Sequence, residues 1–130
     1  MKSKHKLLIA LILSALALPL CGQDYHAESE RLARLLDWHA GSVVAEIGAG
    51  AGQMTVDAAE RVGPTGHVYT TEVSERKLEH LKELAAQEKF HNITVIKGSQ
   101  AGTNLPHECC NSIYILNASR FRLQRADGYR

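Results

Sequence analysis

Long hydrophobic runs, charge of one sign and cysteine are all scarce in this chain of 130 residues. Its longest apolar block, Leu7 to Leu20, has 14 residues and carries Pro19 near its end. A bilayer span takes about 18 to 20 apolar residues, so no stable membrane span is expected. Formal net charge is only +1, which leaves no electrostatic footprint for nucleic acid. No internal repeat and no low-complexity tract is present, which excludes solenoids and biased linkers. There are three cysteines, two of them adjacent. Cys109 and Cys110 cannot staple distant segments, and with no His/Cys partner set at the usual spacings they make no metal site. They read as two small apolar residues entering a strand.

What is present fits one globular domain. The hydrophobic fraction of 45% argues against disorder. The first residues, MKSKHKLLIALILSALALPLCGQ, place Lys2, Lys4 and Lys6 ahead of the short apolar block. That is the pattern of a secretory signal peptide over residues 1–23, with cleavage between Cys21 and Gln23, and it implies an exported protein, periplasmic or secreted. Leu20 is bulky where a lipoprotein carries a small residue before its cysteine. Removing 23 residues leaves 107 and takes away three lysines, so the remaining balance is 12 basic against 14 acidic.

Downstream, strands and helices alternate. Ala27 to Ala40 reads as a helix with Leu32, Leu35, Leu36 and Trp38/His39 on one face, stopped by Gly41. Ser42 to Ile47 reads as a buried strand. Gly48 to Gly52 is a loop, Gln53 to Val62 a helix, and Gly63-Pro64-Thr65-Gly66 a turn. His67 to Thr71 is a second strand, closing on Glu72. Ser74 caps a helix running to about Lys89, with Leu78, Leu81, Leu84 and Ala85 inward. Ile93 to Lys97 is a third strand, Gly98 to Cys109 a loop, and Ser112 to Leu116 a fourth strand. This rhythm predicts βαβ units and a parallel sheet, that is, an α/β Rossmann-like fold. It occupies residues 24–117. A basic tail, 118–130, reads as a frayed helix or a disordered segment.

The chemistry sits in VVAEIGAGAGQMTVDAAERVG, Val43 to Gly63. A strand leading through glycines into a helix presents free backbone N–H groups and admits a ligand where a Cβ would collide. Glu72 ends the next strand 20 residues after Gly52, where a carboxylate can accept both hydroxyls of a ribose. Gln53 departs from the dinucleotide fingerprint, and Glu46 would repel a pyrophosphate. A carboxylate there suits a ligand with an ammonium or sulfonium cation.

These residues resemble those of class I S-adenosylmethionine-dependent methyltransferases. The likeness rests on VVAEIGAGAG, on VYTTEVS with Glu72, and on NITVIKGS after the second helix, and it extends from about Glu28 to Leu116. VGPTGHVYTTEVS is similar to the protein-isoaspartate methyltransferase branch. The resemblance implies S-adenosylmethionine as cofactor. Gly48, Gly50 and Gly52 would pass close to its methionine part and ribose. Glu46 would hold the loop and reach the ammonium through water, Glu72 would take the ribose hydroxyls, and Val73 would lie against adenine. Ser99 stands near the position where the family often has an acid beside the adenine amino group, and Asn111 where an acid often enters the fourth strand. No catalytic base is assigned, since His67, His80, His91 and His107 are scattered in sequence.

Four strands correspond to the N-terminal half of the seven-stranded family fold. The expected activity is methyl transfer to an acceptor that the sequence does not name. The alternative is a non-catalytic nucleoside-binding remnant. An open sheet edge implies either a homo-oligomer or a partner that covers it.

Overall fold

The computed structural model describes residues 24–115. The signal-peptide and tail expectations, and Leu116, lie outside the described residues. Within them the elements run α1 (Tyr25–Leu35), β1 (Val43–Ile47), α2 (Gln53–Val62), β2 (His67–Glu72), α3 (Glu75–Ala85), a short 3₁₀ turn (Glu88–Phe90), β3 (Ile93–Lys97) and β4 (Ser112–Ile115). The four strands form one parallel sheet in the order β3-β2-β1-β4. The expected α/β architecture is therefore present. The chain steps from β1 to β2 to β3 in one direction and then returns to place β4 on the other side of β1. That reversal opens a crevice at the carboxyl ends of the strands, which is where ligands bind in sheets of this kind.

Register explains where the core lies. Val44, Val68 and Ile93 are neighbours across three strands, so their side chains share a face. Ala58, Ala59 and Val62 of α2 bury against them, with Leu84 and Ala85 of α3, Phe90 and Trp38 alongside. α1 packs on α2, where Arg61 Nε donates to the Ser29 hydroxyl at 2.9 Å. Successive crossovers of one hand that move the same way put their helices on the same side. Among the described residues the helices cover this face, while Ile113 and Ile115 on the other are 53% and 50% exposed.

Three expectations are corrected. The first helix begins at Tyr25 and ends at Leu35, rather than running from Ala27 to Ala40. Asp24 caps it by accepting from the Ala27 N–H at 3.1 Å, and Asp37 breaks it with φ +52°. Leu35, expected inward, is 68% exposed, and the fully buried residue of that helix is Ser29. The helix after Ser74 stops at Ala85 instead of Lys89. Ala86 closes its last turn, and the 3₁₀ turn then drives Phe90 into the core. Cys109 and Cys110 are not simply two small residues entering a strand, because they are joined to each other by a disulfide.

Candidate functional site

β1 carries Glu46 as its penultimate residue, just before the glycine loop, and α2 begins immediately after the loop. Glu46 is 1% exposed. The Thr55 hydroxyl, in the first turn of α2, donates to its Oε2 at 2.5 Å. The Thr70 hydroxyl from β2 donates to the same oxygen at 3.3 Å. The two threonine hydroxyls are themselves 3.2 Å apart. Glu46 thus lies beneath the loop and ties its two ends together through Thr55. Desolvation by burial pushes its carboxyl up to about 7, against the hydrogen bonds from Thr55 and Thr70 that favour the charge.

The loop itself is held by β2. The N–H groups of Gly48 and Ala49 both donate to the Thr71 carbonyl at 3.0 Å. Gly50 and Gly52 show what the glycines do. Gly50 has φ +62° and faces open space, so nothing nearer than 4 Å would meet a Cβ there. That position is free for a ligand to approach. Gly52 has φ +87°, and a Cβ on it would stand 2.9 Å from Leu81 Cδ2 and 3.4 Å from Leu84 Cδ1. Gly52 therefore lets α3 close on the start of α2, the helix-packing use of a glycine after such a loop.

Glu72 ends β2 beside the loop, 6% exposed. Its Oε2 accepts from the Gly50 N–H at 3.0 Å. Its Oε1 accepts from the N–H groups of Val73 at 2.8 Å and Ser74 at 3.1 Å. Lys77 Nζ stands 3.9 Å from Oε2. Desolvation alone would raise this acid. The three N–H donors and the lysine outweigh it and hold the carboxyl below its ordinary value, so Glu72 is an anchored anion. Ser74 contributes here through its backbone, and its side chain makes no cap hydrogen bond.

Val73 is 53% exposed and would be the nearest side chain, at 3.7 Å, to a Cβ on Gly98. It forms an apolar shoulder at the end of β2, between the strand ends of β2 and β3. Ser99 turns the other way: its hydroxyl accepts from the N–H groups of Ala101 and Gly102 at 3.2 and 3.0 Å, which folds its own loop. The structure therefore brings together Glu46, Gly48, Gly50, Gly52 and Glu72, with Val73 at the margin, and keeps the Ser99 side chain occupied locally. Asn111 acts as a side-chain acceptor at the mouth of β4, with the Val43 N–H donating to its Oδ1 at 2.7 Å. His67 sits at the amino end of β2, bonded to Thr94 at 2.8 Å, away from the loop. Sequence reasoning missed Thr55, Thr70, Tyr114 and Lys77. Only Thr55 carried a signal, as a small hydroxyl in the first turn of the helix after the loop. Among the described residues no group of His, Cys, Asp or Glu is placed to hold a metal ion.

The model of the methyltransferase-domain family matches residues 38–114, more than half of the chain. The chain belongs to that family. A protein-L-isoaspartate O-methyltransferase of Methanothermobacter thermautotrophicus is 34% identical over 94 residues, covering 69% of this chain and 42% of that protein. The protein-L-isoaspartate O-methyltransferase of Ignicoccus hospitalis is 44% identical over 62 residues, 45% of this chain and 28% of the relative. Among solved structures, an S-adenosylmethionine-dependent methyltransferase from Aquifex aeolicus shares the fold with a TM-score of 0.61 at 24% identity, over 68% of this chain and 47% of that one. The chain spans less than half the length of these relatives.

Proposed function

We propose that the crevice at the carboxyl ends of β1 and β2 binds S-adenosylmethionine, and that the chain serves methyl transfer from its sulfonium to an acceptor. The observation that carries this reading is the anchored Glu72 carboxylate beside the open Gly50. A carboxylate held ionised by backbone donors accepts a pair of ribose hydroxyls well. Gly50 leaves the room that a nucleoside needs. The cofactor, when bound, supplies an activated methyl group. This chain's residues hold the ribose at Glu72, offer Val73 as an apolar surface for the base, and keep the loop shaped through Glu46. Methyl transfer of this kind depends chiefly on alignment of donor and acceptor, so the absence of an assigned base is no obstacle to the reading. The names of the curated relatives make an isoaspartyl peptide the first acceptor to try.

The test is a calorimetric titration of S-adenosylhomocysteine into the full-length chain and into its Glu72→Ala variant. Saturable binding that the variant loses supports the reading. No binding by a demonstrably folded wild-type chain overturns it.

A further inference from the structure

Tyr114 is the residue that the site leaves unexplained. It lies on β4 directly across from Glu46 in the parallel register, so the two side chains leave the sheet on the same face. Its ring is 5% exposed and tilts against Trp38 with centroids 5.2 Å apart. Trp38 is fixed in turn by donating from Nε1 to the Ser112 hydroxyl at 2.9 Å. Yet the Tyr114 hydroxyl is buried with no hydrogen-bond partner among the described residues. A phenol in that state is costly unless it finds a partner. Glu46, its cross-strand partner, sends its carboxyl off the same face of the sheet, and each group biases the charge of the other.

We propose that Tyr114 is a positioning residue of the glycine loop, whose hydroxyl completes the hydrogen bonding of Glu46 in either protonation state and so keeps the Glu46–Thr55 tie across the loop. A phenol suits this role because it both donates and accepts. It donates to an ionised Glu46, and it accepts from a protonated one. The groups facing Glu46 are Thr55 from α2, Thr70 from β2, Tyr114 from β4 and, at longer range, the charge of Glu72; Asp57 acts on Tyr114 in the same way. Burial raises both Glu46 and Tyr114, Glu46 to about 7 and Tyr114 well above its usual value. Of the two, Glu46 is therefore the group that exchanges its proton near neutral pH, while Tyr114 stays a neutral phenol. The proposal rests on the reading of the loop as the cofactor site, but its test does not need the cofactor.

The experiment follows the Glu46 side-chain carboxyl by carbon NMR in the full-length chain between pH 5 and pH 9, together with the amide signals of Gly48, Gly50 and Gly52. The expected wild-type result is one titration near neutrality, shared by the carboxyl and the three glycines. In Tyr114→Phe the midpoint rises by about one pH unit, because the ionised carboxyl has lost a donor, and the glycine signals move with it. In Glu46→Gln the shared titration disappears. An unchanged midpoint in Tyr114→Phe overturns the proposal, because a tyrosine that merely fills space leaves the carboxyl unaffected. Glycine signals that do not follow the carboxyl in the wild type overturn it as well. Titrating S-adenosylhomocysteine into the same samples keeps the two readings apart. Absence of binding fails the proposed function, while the carboxyl titration still decides the role of Tyr114.

Discussion

The Thr55 hydroxyl donates to the Glu46 carboxyl at 2.5 Å, and this one bond joins the end of β1 to the first turn of α2. The five residues between Ile47 and Gln53 are thereby closed from below by side chains, while Gly48 and Ala49 are fixed from the side by the Thr71 carbonyl. On its Cβ side Gly50 faces open space, and the loop's one tie there is the Gly50 N–H donating to Glu72. Its shape is stored in buried bonds underneath, at the cost of enclosing a carboxyl group.

That cost sets a pH dependence of stability. Glu46 has a folded value of about 7 against an ordinary 4.5. A raised acid contributes its stability fully below the unfolded value, loses it as pH climbs from about 4.5 to about 7, and changes nothing further above. A difference of this size corresponds to roughly 3 kcal/mol. Urea unfolding at intervals across that range is expected to show the wild type losing stability with rising pH. Glu46→Gln should have a flatter profile over the same interval. Parallel profiles would show that Glu46 is not the source.

Glu72 predicts the opposite slope at lower pH. Its carboxyl is held below the ordinary value by the N–H donors and Lys77, in spite of desolvation. A lowered acid contributes stability that is present above the unfolded value of 4.5 and is lost as pH falls through the folded one. Affinity for S-adenosylhomocysteine should fall over the same acidic range, because protonation removes an acceptor from the ribose site. Glu72→Gln should bind weakly at all pH values, by about tenfold or more, given that hydrogen bonds to charged groups contribute roughly 1.5–3 kcal/mol. Calorimetry at two pH values on both proteins checks it.

The two loop glycines should separate stability from binding. A methyl group at Gly52 meets Leu81 Cδ2 at 2.9 Å on a backbone with φ +87°. Overpacking and a left-handed residue together cost roughly 3 kcal/mol. Gly50→Ala meets nothing within 4 Å and carries only the conformational cost, about 1–2 kcal/mol. Its methyl group would stand in the space offered to the ligand. Chemical denaturation should therefore rank Gly52→Ala as the less stable variant. Ligand titration should show Gly50→Ala losing more affinity than its stability change explains.

How much of this was legible in the sequence depends on whether the cause was local. The strand VVAEI, the Gly63–Gly66 turn and the Leu78/Leu81 spacing each carry their own signal, and those elements are present, although the helix holding Leu78 and Leu81 ends at Ala85, short of the expected Lys89. The spacing from Gly52 to Glu72 placed the carboxylate beside the loop for the same reason. The first helix was misplaced because its start is set by Asp24 and its end by a left-handed Asp37, neither of which shows in apolar periodicity. Tyr114 and Thr70 could not be found at all. They reach Glu46 only through the pairing of β1 with β4 and β2, and register between distant strands is invisible in a single chain. Ser99 shows what sequence position leaves out. It stands at a plausible place in sequence, but a short loop of its own uses its hydroxyl.

Asn92 supplies a prediction about the frame that carries the site. It is 5% exposed, and its Nδ2 donates to the carbonyls of both Ala59 and Gly63 at 2.9 Å. Both carbonyls lie at the end of α2 and already accept one backbone N–H each, Ala59 from Gly63 and Gly63 from Gly66, so Asn92 gives each a second donor. One side chain just before β3 thus closes the helix that begins at the glycine loop. In Asn92→Ala both carbonyls keep their backbone donor and lose the second one, and the expected loss of two ordinary hydrogen bonds is about 1–2 kcal/mol. Asn92→Asp should be at least as damaging, since a carboxylate would face two carbonyl oxygens that it cannot serve. Because the loop is tied at the opposite end of α2 by Thr55, the alanine variant should still bind S-adenosylhomocysteine at temperatures where it remains folded. Thermal unfolding with and without the ligand reads both quantities. A variant that is folded but has lost all affinity would show that the end of α2, and not only its start, shapes the loop.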